Sequence, residues 1–192
     1  GTKDHFGTYA ILENEEGRSS VPFILGMTGF TGILSTRFHT ETDLWRDNAV
    51  YRYKDLYELA AVEVEQPERR ANRYRIEQAE NGRVRLLDGT GRALPMDTVF
   101  VKGSLLPFQE FNYEYVERSL RPASRDSLLA SPPNYIVRTT DRSGKTSTAK
   151  YWHMPYVGEE PEFGMPKLLH DKLRMRALIQ DTLLVVVQRQ YT

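Results

Sequence analysis

Tyr74-Arg-Ile-Glu-Gln78, then Asn81-Gly82, then Arg83-Val-Arg-Leu-Leu87 is the stretch that decides the fold class. Two alternating runs joined by Asn-Gly are a strong short-range hairpin signal, because a type I′ turn needs positive φ at both central residues. Asp88-Gly-Thr-Gly-Arg92 follows as a second turn. Just upstream, Leu59-Ala-Ala-Val-Glu-Val-Glu65 alternates again, with Val62 and Val64 on one face and Glu63 and Glu65 on the other. An antiparallel sheet is therefore the starting expectation.

The same grammar extends in both directions. Tyr135-Ile-Val-Arg-Thr139, the turn Asp141-Arg-Ser-Gly-Lys145 and Thr146 to Trp152 read as a further hairpin. Phe111-Asn-Tyr-Glu-Tyr-Val116 alternates, and Leu183-Leu-Val-Val-Val187 has the uninterrupted character of a central strand covered on at least one face. A helix is expected from an N-cap at Asp97 to about Leu106, ended by Pro107. Val99, Phe100, Val101, Leu105 and Leu106 point nearly all round it, which predicts burial on more than one side. Lys167 to Ile179 reads as a second helix, although Lys172 and Arg176 interrupt its apolar arc. Pro122 to Pro133 reads as a connector with a helical turn at 125–130.

Strand, turn, strand, helix, strand thus occurs twice, and the expectation is an α+β fold. It has a mainly antiparallel sheet, two principal helices and two ββαβ-like repeats over 59–121 and 122–192. An N-terminal piece, 1–58, precedes them within one compact domain. That piece holds a hairpin (7–13 against 21–25, with Pro22 at an edge or at the strand's start), a loop punctuated by Gly26, Gly29 and Gly32, and a joint. In the joint, Thr40 to Asp47 is expected to form one or two helical turns and Asn48 to Tyr53 a strand.

Composition narrows the chemistry. The 192 residues carry 26 Lys plus Arg and 26 Asp plus Glu, a net charge of zero that argues against nucleic acid as a partner. There is no cysteine, so disulfides, thiolate nucleophiles and iron–sulfur clusters are excluded. No apolar run approaches the ~20 residues of a membrane-spanning helix. The chain begins at Gly1 rather than Met, which leaves room upstream for a signal or anchor.

No catalytic constellation emerges. Ser143-Gly-Lys-Thr146 resembles the end of a phosphate-binding loop, but Thr139 stands where that loop needs its first glycine, and the segment lies between two strands. His5, His39, His153 and His170 have no metal-ligand spacing, and no cofactor is implied. His39 with Asp43 and Asp47 is the one arrangement that suggests a hydrolase. Against it, Asp43, Arg46 and Asp47 neutralise one another and read as a structural clamp, with Trp45 burying its ring beside them. A buried Trp45 would make Trp45→Ala cost about 3–5 kcal/mol. Tyr51, Tyr53, Tyr113, Tyr115, Tyr151 and Trp152 cluster on alternating strands and are the candidate interaction surface, since Tyr and Trp are enriched at interfaces.

With these residues laid out, the chain resembles the DUF4340 group of bacterial proteins, particularly those of Bacteroidetes. The resemblance rests on Pro22-Phe-Ile-Leu25 and Gly29-Phe-Thr-Gly32, on Arg37-Phe38 followed by Trp45-Arg46-Asp47, and on Tyr74-Arg-Ile76. It extends through Arg125-Asp-Ser-Leu-Leu129 to Tyr135, and from Leu178-Ile179 to Val187-Gln188. The segments run in order over most of the chain, each of them short. The resemblance implies a cell-envelope or periplasmic setting, often with an N-terminal membrane anchor, and relatives beside ABC transporters linked to gliding motility. It brings no catalytic residues. The expectation is a non-enzymatic envelope domain that binds or scaffolds protein partners and is attached to a membrane only through a segment outside these residues. A small-ligand or glycan-binding domain with a cleft between the repeats is the alternative, and the hydrolase stands third.

Overall fold

The computed structural model describes residues 8–28, 34, 45–69, 72–158 and 169–189. Two units separate at Asp47/Asn48. In the first, β1 (Thr8–Ala10) pairs with β4 (Phe23–Leu25), and the short β2 (Glu13–Asn14) pairs with β3 (Gly17–Arg18). This is the expected N-terminal hairpin. β4 begins directly after Pro22, which has no N–H to give to a ladder.

The second unit is built on one nine-stranded antiparallel sheet. In chain order its elements are β5 (Ala49–Arg52), β6 (Leu59–Glu65), β7 (Tyr74–Gln78), β8 (Val84–Asp88), α1 (Thr98–Gly103), β9 (Glu110–Val116), α2 (Pro122–Ala130), β10 (Tyr135–Asp141), β11 (Thr146–Pro155), β12 (His170–Ile179) and β13 (Leu183–Gln188). The order across the sheet is β5-β9-β13-β12-β11-β10-β6-β7-β8. β5 therefore belongs to this sheet and not to an N-terminal piece ending at residue 58. The segments 59–121 and 122–192 share the sheet, because β9 pairs with β13 and β6 with β10.

Connectivity requires the sheet to roll. Six strand spacings separate β5 from β6, about 29 Å in a flat sheet. The seven residue steps from Arg52 to Leu59 reach only about 24 Å at full stretch, and they contain a 3-10 turn at Leu56–Glu58. β5 therefore curls over β10. There the Tyr51 hydroxyl donates to the Val137 carbonyl at 3.2 Å, and the Tyr53 hydroxyl donates to Thr139 Oγ1 at 2.8 Å. α1 packs on β8, a 3-10 turn at Leu106–Phe108 packs on β9, and the Phe108 ring lies 5.1 Å from that of Tyr51. Between them they line the seam of the roll.

The alternation read from β6 holds. Val62 and Val64 face the interior core with Ile76, Val137 and Tyr151, while Glu63 and Glu65 face outward. There Arg138 Nη1 bonds Glu63 at 2.8 Å and Glu65 at 3.0 Å, and Arg73 and Arg75 extend the ladder to Glu63 and Glu77. Apolar inside and ionic outside is the reverse of a transmembrane barrel, whose lipid face is apolar. Elsewhere the outer face is covered by α2: Leu128 and Leu129 pack with Leu120 on Trp152, Leu178 and Leu184. β13 is accordingly buried on both faces, as its Leu-Leu-Val-Val-Val run implies.

Four expectations are corrected. Residues 170–179 are strand β12, so the segment 122–192 reads α2 followed by four strands and the ββαβ pattern does not recur. Leu173, Arg174, Met175, Arg176 and Ala177 are good helix formers, but the slot between β11 and β13 overrides propensity. α1 buries Val101 alone, and Val99 and Phe100 are 82% and 68% exposed, so the helix is not enclosed. The Asn81-Gly82 turn is a three-residue loop and not type I′: Gly82 alone takes positive φ, at 74°. Its N–H donates to the Ala79 carbonyl, and Ala79 N–H donates to the Arg83 carbonyl. The connector at 122–133 carries a longer helix than the single turn expected, with Pro122 in its first turn.

Candidate functional site

Rolling places the inward side chains of nine strands around one space. Inward positions alternate along each strand. On β7 they include Tyr74 and Ile76, on β10 Tyr135 and Val137, and on β11 Tyr151. These residues, with Tyr51, Phe108, Phe111, Met175 and Val187, line a cleft of about 470 Å³ that opens at one end of the roll. The volume lies within the range of small-molecule sites. Ser104, with Gln66, Gln188 and Arg189 at the ends of β6 and β13, adds polar groups to its lining.

Two phenols meet within the roll. Tyr151 Oη donates to Tyr51 Oη at 3.3 Å, and the Tyr51 hydroxyl in turn donates to the Val137 carbonyl. Burial, reinforced by Tyr151, pushes the Tyr51 phenol well above its ordinary value, and burial pushes that of Tyr151 higher too. The cleft therefore has an uncharged aromatic wall with hydroxyl groups in it, suited to holding a ligand.

Beside Tyr135 the His153 ring sits edge-on at 5.8 Å and stacks on His170 at 4.8 Å. Among the described residues, His153 Nδ1 is buried without a hydrogen-bond partner. Burial, and after it the neighbouring positive groups His170 and Arg189, hold its imidazole below the ordinary value against the opposing pull of Glu68. On the outer face, Arg176 Nε bonds the buried Glu117 carboxylate at 2.9 Å. Burial pushes Glu117 up, but hydrogen bonds from Ser119 and Arg176 outweigh it and hold the carboxyl below its usual range.

The structure redistributes the residues singled out by sequence. Tyr51, Tyr53, Tyr113, Tyr151 and Trp152 are core, and only Tyr115 (43%) is exposed, so the six do not make a surface patch. Tyr51 and Tyr151 instead line the cleft. Trp45 is 62% exposed, so its ring is not buried and the several-kcal/mol cost of Trp45→Ala does not follow. The buried indole is that of Trp152, whose Nε1 donates to the Ser131 carbonyl closing α2. Asp43 and His39 lie outside the described residues, as do most of the helical turns expected over 40–47. Ser143-Gly-Lys-Thr146 is the ordinary turn expected: the Asp141 carboxylate accepts from Ser143 N, Ser143 Oγ and Lys145 N. Among the described residues no three metal-ligating side chains converge. Tyr74 and Tyr135 were missed, although strand alternation places them with Ile76 and Val137.

The architecture and cleft define the class: a rolled antiparallel-sheet domain with an interior ligand-sized cleft. No family model matches the chain, and neither a curated protein nor a solved structure does.

Proposed function

We propose that this chain is a non-enzymatic binding domain that holds a small, mainly apolar ligand in the tyrosine-lined cleft of its rolled sheet. The observation that carries the reading is the cleft itself, with four tyrosines (Tyr51, Tyr74, Tyr135 and Tyr151) and two phenylalanines on its walls. Aromatic walls supply buried area and geometric selectivity, and the few polar groups orient the ligand. The test is a titration of the full chain with 8-anilinonaphthalene-1-sulfonate and a set of aromatic and fatty acids. Saturable binding to the wild type, lost when Val64→Trp fills the cleft in a protein with unchanged circular dichroism, supports the reading. Absence of saturable binding, or binding indifferent to the filled cleft, overturns it.

Attachment to a protein partner in the cell envelope is the second reading, drawn from the resemblance to the DUF4340 group. Val99 and Phe100, exposed on α1, favour it as a contact surface. A pull-down from native membranes that returns the same partners for the wild type and for a Val99→Lys/Phe100→Lys variant counts against it.

A further inference from the structure

At the opposite end of the roll from the tyrosine cleft lies a second concavity of about 560 Å³, and from it we infer a saccharide-binding site. One wall is the 3-10 turn after β5 and the other is the β10–β11 turn, and Arg142 ties the two together. Its backbone N–H donates to the Glu58 carbonyl and its Nε to the Tyr57 carbonyl, both at 2.9 Å. Each wall is also braced internally. Asp55 accepts from Tyr57 N at 2.9 Å, and Asp141 accepts three hydrogen bonds from Ser143 and Lys145. A groove with walls set this way loses little freedom when a ligand enters.

Its chemistry is that of a sugar receptor. Tyr57 is 57% exposed on the groove, and its ring edge is so close to Gly82 that a Cβ there would meet Cε1 at 2.8 Å. A solvent-facing aromatic ring braced by backbone is a platform for the C–H face of a pyranose. Around it stand a carboxylate, Glu58, and an ammonium, Lys145, neither of which makes a side-chain hydrogen bond or ion pair among the described residues. Sugar hydroxyls both donate and accept, so they match a rim that offers an acceptor and a donor together. A strongly anionic or cationic ligand would meet a like charge on one side. The inference does not depend on the tyrosine cleft being occupied, since the two sites share only Tyr51.

The experiment is amide NMR of the full chain titrated with cellobiose, maltose and N,N′-diacetylchitobiose. For at least one disaccharide, saturable shift changes are expected at 55–58 and 141–147 and not at the cleft residues 64–66 and 187–189. Tyr57→Ala should weaken that binding roughly three- to tenfold, and Tyr57→Trp should retain it. Lys145→Met, on an exposed turn, is the second variant and should also weaken it. No saturable change with any of the three sugars overturns the inference, as does binding that Tyr57→Ala and Lys145→Met both leave intact.

Discussion

Thr139→Val removes one oxygen from the point where β5 crosses over β10. Thr139 is 0% exposed, and its Oγ1 accepts the Tyr53 hydroxyl at 2.8 Å. Valine has nearly the same shape, so no cavity opens. What changes is that a buried phenolic O–H loses its acceptor, a loss of about 1–3 kcal/mol. Tyr53→Phe alone deletes the donor and costs roughly 1 kcal/mol, because the threonine hydroxyl is then left to find another partner. The double variant removes both polar groups and should cost no more than Thr139→Val by itself. The coupling across the cycle is therefore expected at about 1–2 kcal/mol. Urea denaturation of the four proteins, followed by tyrosine and tryptophan fluorescence, measures it, and each kcal/mol should also move the thermal midpoint by about 2–4 °C. Strictly additive single variants, or a Thr139→Val protein as stable as wild type, would refute the idea that this bond helps hold the roll closed.

Arg176→Met leaves the buried Glu117 carboxylate without its counter-charge, and a loss of about 3–5 kcal/mol in chemical denaturation is expected. His153 is held below its ordinary value in the folded chain. The folded state therefore takes up fewer protons than the unfolded one, and stability should decline as pH falls below ~6.5, with His153→Gln flattening that slope in urea midpoints from about pH 7.5 to 5. In the β12–β13 hairpin, Gln180 and Asp181 occupy positive φ, at 50° and 56°. Gln180→Asn should stabilise by up to about 1 kcal/mol, read as a rise in thermal midpoint, because asparagine tolerates this backbone better.

The hairpins were legible because turn chemistry is local. Asp141-Arg-Ser-Gly-Lys145 states its own geometry through one carboxylate and one glycine, and Asp97 announces the start of α1 by capping Val99 and Phe100. The face assignment of β6 was legible for a similar reason, since Val62 and Val64 against Glu63 and Glu65 leave no other arrangement. β12 was not legible. Its composition favours a helix, and only the neighbours β11 and β13 make it a strand. The site was half legible. Tyr51 and Tyr151 stood out as residue types, but whether an alternating tyrosine points into or out of a sheet depends on which way the sheet curls. That direction is set by β5 pairing with β9, some sixty residues away in the chain, and no local pattern encodes it. Trp45 and Trp152 show the same limit: either indole suits a buried pin in sequence, and it is Trp152 that α2 covers.

The separation of β5 from its sheet partner also orders assembly in time. β6, β7 and β8 form a meander of neighbouring hairpins, and so do β10 to β13. Each closes short loops and can form early. β5 pairs only with β9, some sixty residues away in the chain, and β9 in turn pairs with β13, so this edge is expected to close after the meanders. Long loop closure makes such a step slow relative to hairpin formation. The expected last event in folding is thus the arrival of Tyr51 and Tyr53 over β10, which stopped-flow refolding followed by tyrosine fluorescence would show as the slowest phase.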